Sequence, residues 1–343
     1  MGKVKIAQIG TSANSHGNNI FNSLKKNSDF FEIVGYIMPE NEREKFPGHM
    51  TMFDGYRELT LDEILNNPEI EAVTVETEEI YLTKYAIMAA EYGKHIHMEK
   101  PGGVSLSDFE KLIEIVRKNE TVFHTGYMYR YNPYITELIE QIKNGEFGDI
   151  ISVEAQMNCL HSKEVREWLG NFPGGMMFFL GCHLIDLIFS IQGTPKNIIP
   201  LNKRSGVDNV TSEDFGMVAF EYENGVSFAK TSAVELGGFE RRQLVVTGTK
   251  KNVELKPLEW YADGGLVTER YVRKNKEWDL SASREVSGLY DRYDDMMKSF
   301  AQIVSGEKQN PWSYDYELEL YKLILEACGV AEDFKSQYIH IKS

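Results

Sequence analysis

The chain has 343 residues, 42% of them hydrophobic, and a formal net charge of −15. That length carries a sizeable core and points to two domains rather than one. The acidic balance argues against nucleic acid or an anionic membrane surface as a main partner, and no apolar run approaches the roughly 20 residues of a membrane helix.

Three cysteines, Cys159, Cys182 and Cys328, are scattered without metal-ligand spacing, so no metal site is expected. A sparse, odd set fits a reducing cytoplasm. The first residues, Met1-Gly2-Lys3-Val4-Lys5-Ile6, enter a strand-like run with no signal-peptide apolar core, and the expected location is cytoplasmic.

The first third alternates two patterns. Short apolar runs at Val4–Ile9, 32–37, Ala72–Val75, His95–Met98 and 121–124 read as buried strands. Helical patterns lie between them at 18–26, Leu61–Asn66, 82–92 and 107–118, the third ended by Gly93. Ser107 reads as an N-cap, with Glu110 completing a capping box. The alternation predicts a doubly wound parallel sheet with helices on both faces, over residues 1–127.

After Tyr127 the pattern changes. A helix over Pro133–Lys143 leads into a strand at 150–157, and a loop-helix region follows around 168–191. Strands are predicted at 218–222, 226–233, 243–247 and Asn252–Leu255, with a hairpin turn at Glu223-Asn224-Gly225. Helices at 290–304 and 316–328 finish the chain. Residues 128–343 thus read as an α+β domain with an open antiparallel sheet flanked by helices.

Three motifs carry chemistry. Gly10-Thr11-Ser12-Ala13-Asn14-Ser15-His16-Gly17 joins the first strand to the first helix, where a dinucleotide pyrophosphate sits on backbone amides. Its glycine fingerprint is incomplete: Ser12 and Ser15 hold the second and third glycine positions. A strand–helix turn needing only Gly10 reads equally well. Glu99-Lys100-Pro101 ends the fourth strand and offers an ammonium that can hold or deprotonate a hydroxyl. Gly181-Cys182-His183-Leu184-Ile185-Asp186 offers an imidazole able to act as acid or base, with Asp186 one turn later to orient it or cap the helix.

Together these elements resemble the Gfo/Idh/MocA family, the NAD(P)-dependent oxidoreductases related to glucose–fructose oxidoreductase and inositol dehydrogenase. The resemblance implies an N-terminal Rossmann domain and a C-terminal domain whose sheet packs on a copy of itself, as a homodimer or homotetramer. It implies catalysis by Lys100 and His183, facing each other across a cleft. For the cofactor it implies Gly10, Thr11, Ser12 and Ala13 at the phosphates and Met38 after the second strand. Thr77 and Glu78 follow the third strand; Glu99, Lys100 and Arg130 complete the set. Substrate contacts are implied for Lys100, Tyr127, Trp168, Phe179 and His183, with His161 a further polar contact.

Departures from the family pattern are visible too. Phe179 stands where relatives have an aspartate, and Glu78-Glu79 replace Pro-Asn after Thr77. These two acids read as a solvated helix start, or as ligands for ribose hydroxyls or a cationic substrate. The usual acid ending the second strand is absent. Glu40 in its stead favours NAD and Arg43 favours NADP, with NAD the preferred cofactor. The implied activity is hydride transfer between NAD(P) and a secondary alcohol of a sugar, sugar derivative or cyclitol. Oxidation–elimination of a glycoside and a non-catalytic ligand-binding role are the alternatives.

Overall fold

The computed structural model describes residues 2–14, 16–274, 278 and 281–330. Two compact units emerge: Met1–Tyr127 with Tyr293–Tyr321, and Met128–Arg292 with the chain from Lys322. No helix among the described residues is long and apolar enough to cross a membrane.

The first unit is built on five parallel strands: β1 (Val4–Ile9), β2 (Phe31–Ile37), β3 (Ala72–Val75), β4 (His95–Met98) and β5 (Phe123–Thr125). Their order is β2-β1-β3-β4-β5, a Rossmann-type sheet. Helices cover both faces, so the inner strands are buried on both sides and read as continuous rather than alternating apolar runs; all four residues of β3 are buried. The helix Leu106–Lys118 shows the complementary pattern, burying Phe109, Leu112, Ile113 and Val116 on one stripe. Phe109 stacks on Tyr321, with ring centroids 4.2 Å apart.

The cap of this helix differs from expectation. Ser105, not Ser107, accepts the Asp108 N–H, and Ser107 already lies inside the first turn. Two serines of the same spacing class compete for the cap, and the extended backbone of Ser105 decides it. A complete capping box does occur, at Thr60 and Glu63, where the backbone N–H of each residue donates to the side chain of the other.

In the second unit an eight-stranded sheet combines β6 (Ile150–Asn158), β7 (Asn197–Pro200), β8 (Phe215–Tyr222), β9 (Gly225–Ser232), β10 (Gln243–Gly248) and β11 (Asn252–Leu255). β12 (Trp260–Ala262) and β13 (Gly265–Val267) form a separate hairpin, and β14 (Glu269–Arg273) and β15 (Ser283–Val286) complete the large sheet. The predicted turn is a hairpin, with Tyr222 opposite Gly225. The arrangement is not a simple meander: β6 inserts between β9 and β10 and runs parallel to β9. Alternation puts Val153, Ala155, Val218, Phe220, Leu244 and Val246 on the buried face. The helix Cys182–Gln192, apolar nearly all round, packs on β6 and β9.

Candidate active site

In the first unit the strand order reverses between β1 and β3: the chain goes from β1 outward to β2, then returns to the other side. Loops leaving the carboxyl ends of two such strands part and open a crevice, the place where open parallel sheets bind ligands. Residues 10–17 follow β1, 76–81 follow β3 and 99–103 follow β4, so the motifs of this unit share one edge.

The β1 loop is shaped for close approach. Gly10 has φ +84°, and a Cβ there would lie 2.5 Å from Thr77 Cγ2 and 2.8 Å from Thr77 Cα, so only glycine fits against the β3 loop. Gln8 Nε2 donates to the carbonyls of Gly10 (3.0 Å) and Gly17 (3.1 Å), holding both ends of the loop. The helix Gly17–Lys26 starts with no side-chain cap and no acid in its first turn, which leaves its positive end suited to a phosphate. Thr11, Ser12 and Thr77 are buried, Met38 is buried after β2, and Ala13 is exposed. Ser15 lies outside the described residues. These features fit a dinucleotide.

The acid expected after β2 takes an unexpected form. Glu40 is engaged elsewhere, accepting from Lys84 Nζ (2.5 Å) and Tyr85 OH (2.8 Å). Arg43 pairs with Glu58 and donates to Tyr36 OH. Left-handed backbone at Glu40 and Asn41 brings in Glu42 instead. Its fully buried carboxylate accepts the N–H of Thr11 (2.8 Å) and of Glu78 (3.3 Å). Desolvation raises its pKa to about 8 against those two hydrogen bonds. Sequence reasoning missed Glu42 because it looks for the acid at the strand end, not on the turn beyond.

Glu78 and Glu79 part company. Glu78 is half-buried and pairs with Lys45 (2.8 Å), in keeping with a solvated position. Glu79 is 1% exposed, so the solvated reading fails for it. It joins Glu76, Glu99 and Lys100 in a buried group: Lys100 Nζ lies 3.7 Å from Glu99 Oε1, and Ser12 Oγ donates to Glu79 Oε2 (3.4 Å). Desolvation lifts Glu79 and Glu99 to about 7 and Glu76 well above the ordinary carboxyl range. Gly126 admits Glu99, whose Oε2 would stand 2.8 Å from a Cβ at that position. Behind them His97 Nε2 lies 3.6 Å from Glu76 Oε1, and His97 Nδ1 meets His124 Nδ1 at 2.7 Å. The signal for this pair was present in the sequence as histidines inside two otherwise apolar buried strands. The Lys100–Pro101 peptide bond is cis, and Tyr127 is buried just past β5.

The second unit holds the remaining candidates. His183 is buried in the first turn of the helix Cys182–Gln192, its ring edge-to-face on Tyr129 at 5.6 Å. Asp186 lies one turn further along the same helix and is buried. Its carboxylate takes a two-pronged bond from Arg130, Nη2 at 2.7 Å and Nε at 3.0 and 3.1 Å. Arg130 is thereby fixed by Asp186 within this unit. Phe179, on the π-helical turn Met177–Gly181, packs edge-to-face on Trp168 at 5.0 Å, and the His161 ring lies 6.3 Å away. Tyr129 OH donates to Glu259 (2.9 Å), which also receives Arg242 and Arg292.

Comparison with known proteins agrees with this fold. Residues 4–127 match an oxidoreductase family with an NAD-binding Rossmann fold, and residues 135–254 match the GFO/IDH/MocA C-terminal domain. The chain belongs to the GFO/IDH/MocA oxidoreductases. Among relatives in this family, trans-1,2-dihydrobenzene-1,2-diol dehydrogenase of Bos taurus is 24% identical over 58% of this chain and 58% of its own. The NADP(+)-dependent scyllo-inositol 2-dehydrogenase of Bacillus subtilis is 24% identical over 52% of this chain and 48% of its own. The chain thus spans about half the length of these curated relatives. A levoglucosan dehydrogenase, solved with NADH and levoglucosan, shares the fold with TM-score 0.77 and 16% identity, over 96% of this chain and 98% of that one.

Proposed function

We propose that this GFO/IDH/MocA oxidoreductase moves hydride between NAD and a secondary alcohol of a sugar, sugar derivative or cyclitol. Residues 1–127 would take the dinucleotide and 128–343 the substrate. The observation that carries the reading is Lys100, an ammonium 2% exposed at the carboxyl edge of the parallel sheet, directly after β4 and beside the switch-point loops. A lysine so desolvated has little structural reason to be there.

Bound nicotinamide supplies the hydride acceptor in oxidation and the donor in reduction. Lys100 donates to the carbinol oxygen and stabilises the alkoxide that develops as its proton leaves. The His183 imidazole takes that proton, and gives it back in the reverse direction. Trp168, Phe179 and Tyr127 offer ring faces and edges to a sugar or cyclitol, and His161 a polar contact. The similarity to dehydrogenases whose names specify levoglucosan, scyllo-inositol and a dihydrodiol supports a hydroxylated ring as substrate.

Glu42 supports NAD over NADP. A carboxyl under the β1 loop, bonded to the Thr11 and Glu78 amides, suits the 2′- and 3′-hydroxyls of an adenosine ribose, and once ionised, above about pH 8, it repels a 2′-phosphate. Arg43, the candidate for holding that phosphate, is committed to Glu58. On the second unit, Met217, Ala219, Val226, Phe228 and Val245 alternate with the buried face of the sheet and stay half-buried or exposed. This apolar face supports association of the sheet with a second copy, which light scattering measures; a monomer at all concentrations refutes it. For the main reading, fluorescence titration with NADH and NADPH is the test. NADH binding more tightly supports it, and failure of both nucleotides to bind refutes it.

A further inference from the structure

We propose that Glu76, Glu79 and Glu99 make the carboxyl ends of β3 and β4 a receptor for the oxidised, positively charged nicotinamide ring, so that NAD+ is held in preference to NADH. The proposal rests on the dinucleotide reading above and deepens it.

Geometry comes first. Glu76 follows β3 directly and its N–H donates to the Ile9 carbonyl of β1 (2.8 Å); Glu99 follows β4 and its N–H donates to Val75 of β3 (3.0 Å). The sheet ladder therefore fixes these two side chains on neighbouring strand ends, and Glu79 joins them from the short turn that follows. All three are at most 2% exposed. Both carboxylate oxygens of Glu76 and one each of Glu79 and Glu99 have no hydrogen-bond partner. Desolvated oxygens without donors are costly, and they point to a cationic ligand that supplies what the chain does not.

The surroundings do not offer enough positive charge. Among the described residues, Lys100 is the cation acting on all three acids. His97, 3.6 Å from Glu76, is driven toward neutrality by burial and shares its other nitrogen with His124. Glu78 is matched by Lys45. Glu317, from the helix Tyr314–Ala327, accepts the Thr125 hydroxyl (3.0 Å) and adds a further acid on the β5 side.

Ionised and reduced rings differ in charge at one place only. A pyridinium lets the buried carboxyls give up protons and be compensated, while the neutral dihydropyridine brings no such gain. NAD+ binding should release protons and tighten with pH; NADH binding should not. Glu42, whose carboxyl also titrates near neutrality, faces the adenosine end shared by both forms, so it cancels in the NAD+/NADH ratio.

The test is titration calorimetry of the full chain with NAD+ and with NADH, in two buffers of different ionisation heat. The ratio of affinities should move toward NAD+ by about tenfold per pH unit for each proton released, between about pH 6 and about pH 8. Glu79→Gln and, independently, Glu99→Gln should each reduce that slope, with melting curves confirming that the variants fold. Equal pH responses for NAD+ and NADH in the unmodified chain overturn this proposal while leaving the dinucleotide reading intact. Failure of both to bind overturns the two together.

Discussion

Glu79→Gln isolates the cost of burying an acid beside Lys100. Glu79 is 1% exposed, and desolvation raises its carboxyl from the ordinary 4.5 to about 7. A raised acid contributes stability that is fully present below the unfolded value and is lost as pH rises through the folded one. The difference between 4.5 and about 7 corresponds to about 3 kcal/mol once pH exceeds about 8, most of it lost between about pH 5 and about pH 8. Glutamine keeps the shape of the protonated acid and cannot ionise. The nucleotide-free variant should therefore match the unmodified chain near pH 5 and exceed it by about 2 to 3 kcal/mol near pH 8. In thermal unfolding that is a difference of roughly 5 to 10 °C for a cooperative unit of this size. Calorimetric melts at both pH values check it. Parallel pH profiles for the two proteins refute the claim that Glu79 is a buried, unmatched carboxyl.

Gly10→Val forces a branched side chain onto φ +84° with its Cβ 2.5 Å from Thr77; chemical denaturation should show a loss of about 1 to 3 kcal/mol or more, and nucleotide titration a loss of binding. Asp186→Ala leaves the buried Arg130 guanidinium without its two-pronged partner, and unfolding should be easier by about 3 to 5 kcal/mol. Glu42→Gln removes the carboxyl that opposes a 2′-phosphate once ionised, so the NADH-to-NADPH affinity ratio should fall toward one in paired titrations above about pH 8; an unchanged ratio there places the selectivity elsewhere.

Much of the first unit was legible in the sequence because its strands are buried on both faces. Ala72–Val75 and His95–Met98 stand out as short apolar blocks between helical periodicities, and the observed bounds are the same. In the second unit β8 to β11 were readable from alternation and from the Glu223-Asn224-Gly225 turn. The edge strands β7 and β15, the β14 strand inside β15 and the β12–β13 hairpin were not, since they are short and partly or wholly exposed, and their period-2 signal is weak. Nor does a sequence state which strand pairs with which: the parallel β6–β9 pair is a matter of tertiary contact. The motifs at Gly10, Lys100 and His183 were found by local pattern. Glu42 and the buried state of Glu76 and Glu79 were hidden for a different reason: a glutamate that is solvated and one that is desolvated have the same letter, and only the packed sheet edge separates them. That Asp186 also holds the Arg130 guanidinium is likewise not legible from the sequence.

The most direct measurement of the central claim is the appearance of reduced-nicotinamide absorbance with NAD and a panel of sugars and cyclitols, for the unmodified chain and for Lys100→Met. The account predicts turnover of at least one secondary alcohol, reduced by about a hundredfold or more in the variant while its circular dichroism is unchanged. A Lys100→Met protein that turns the same alcohol over at the unmodified rate contradicts it.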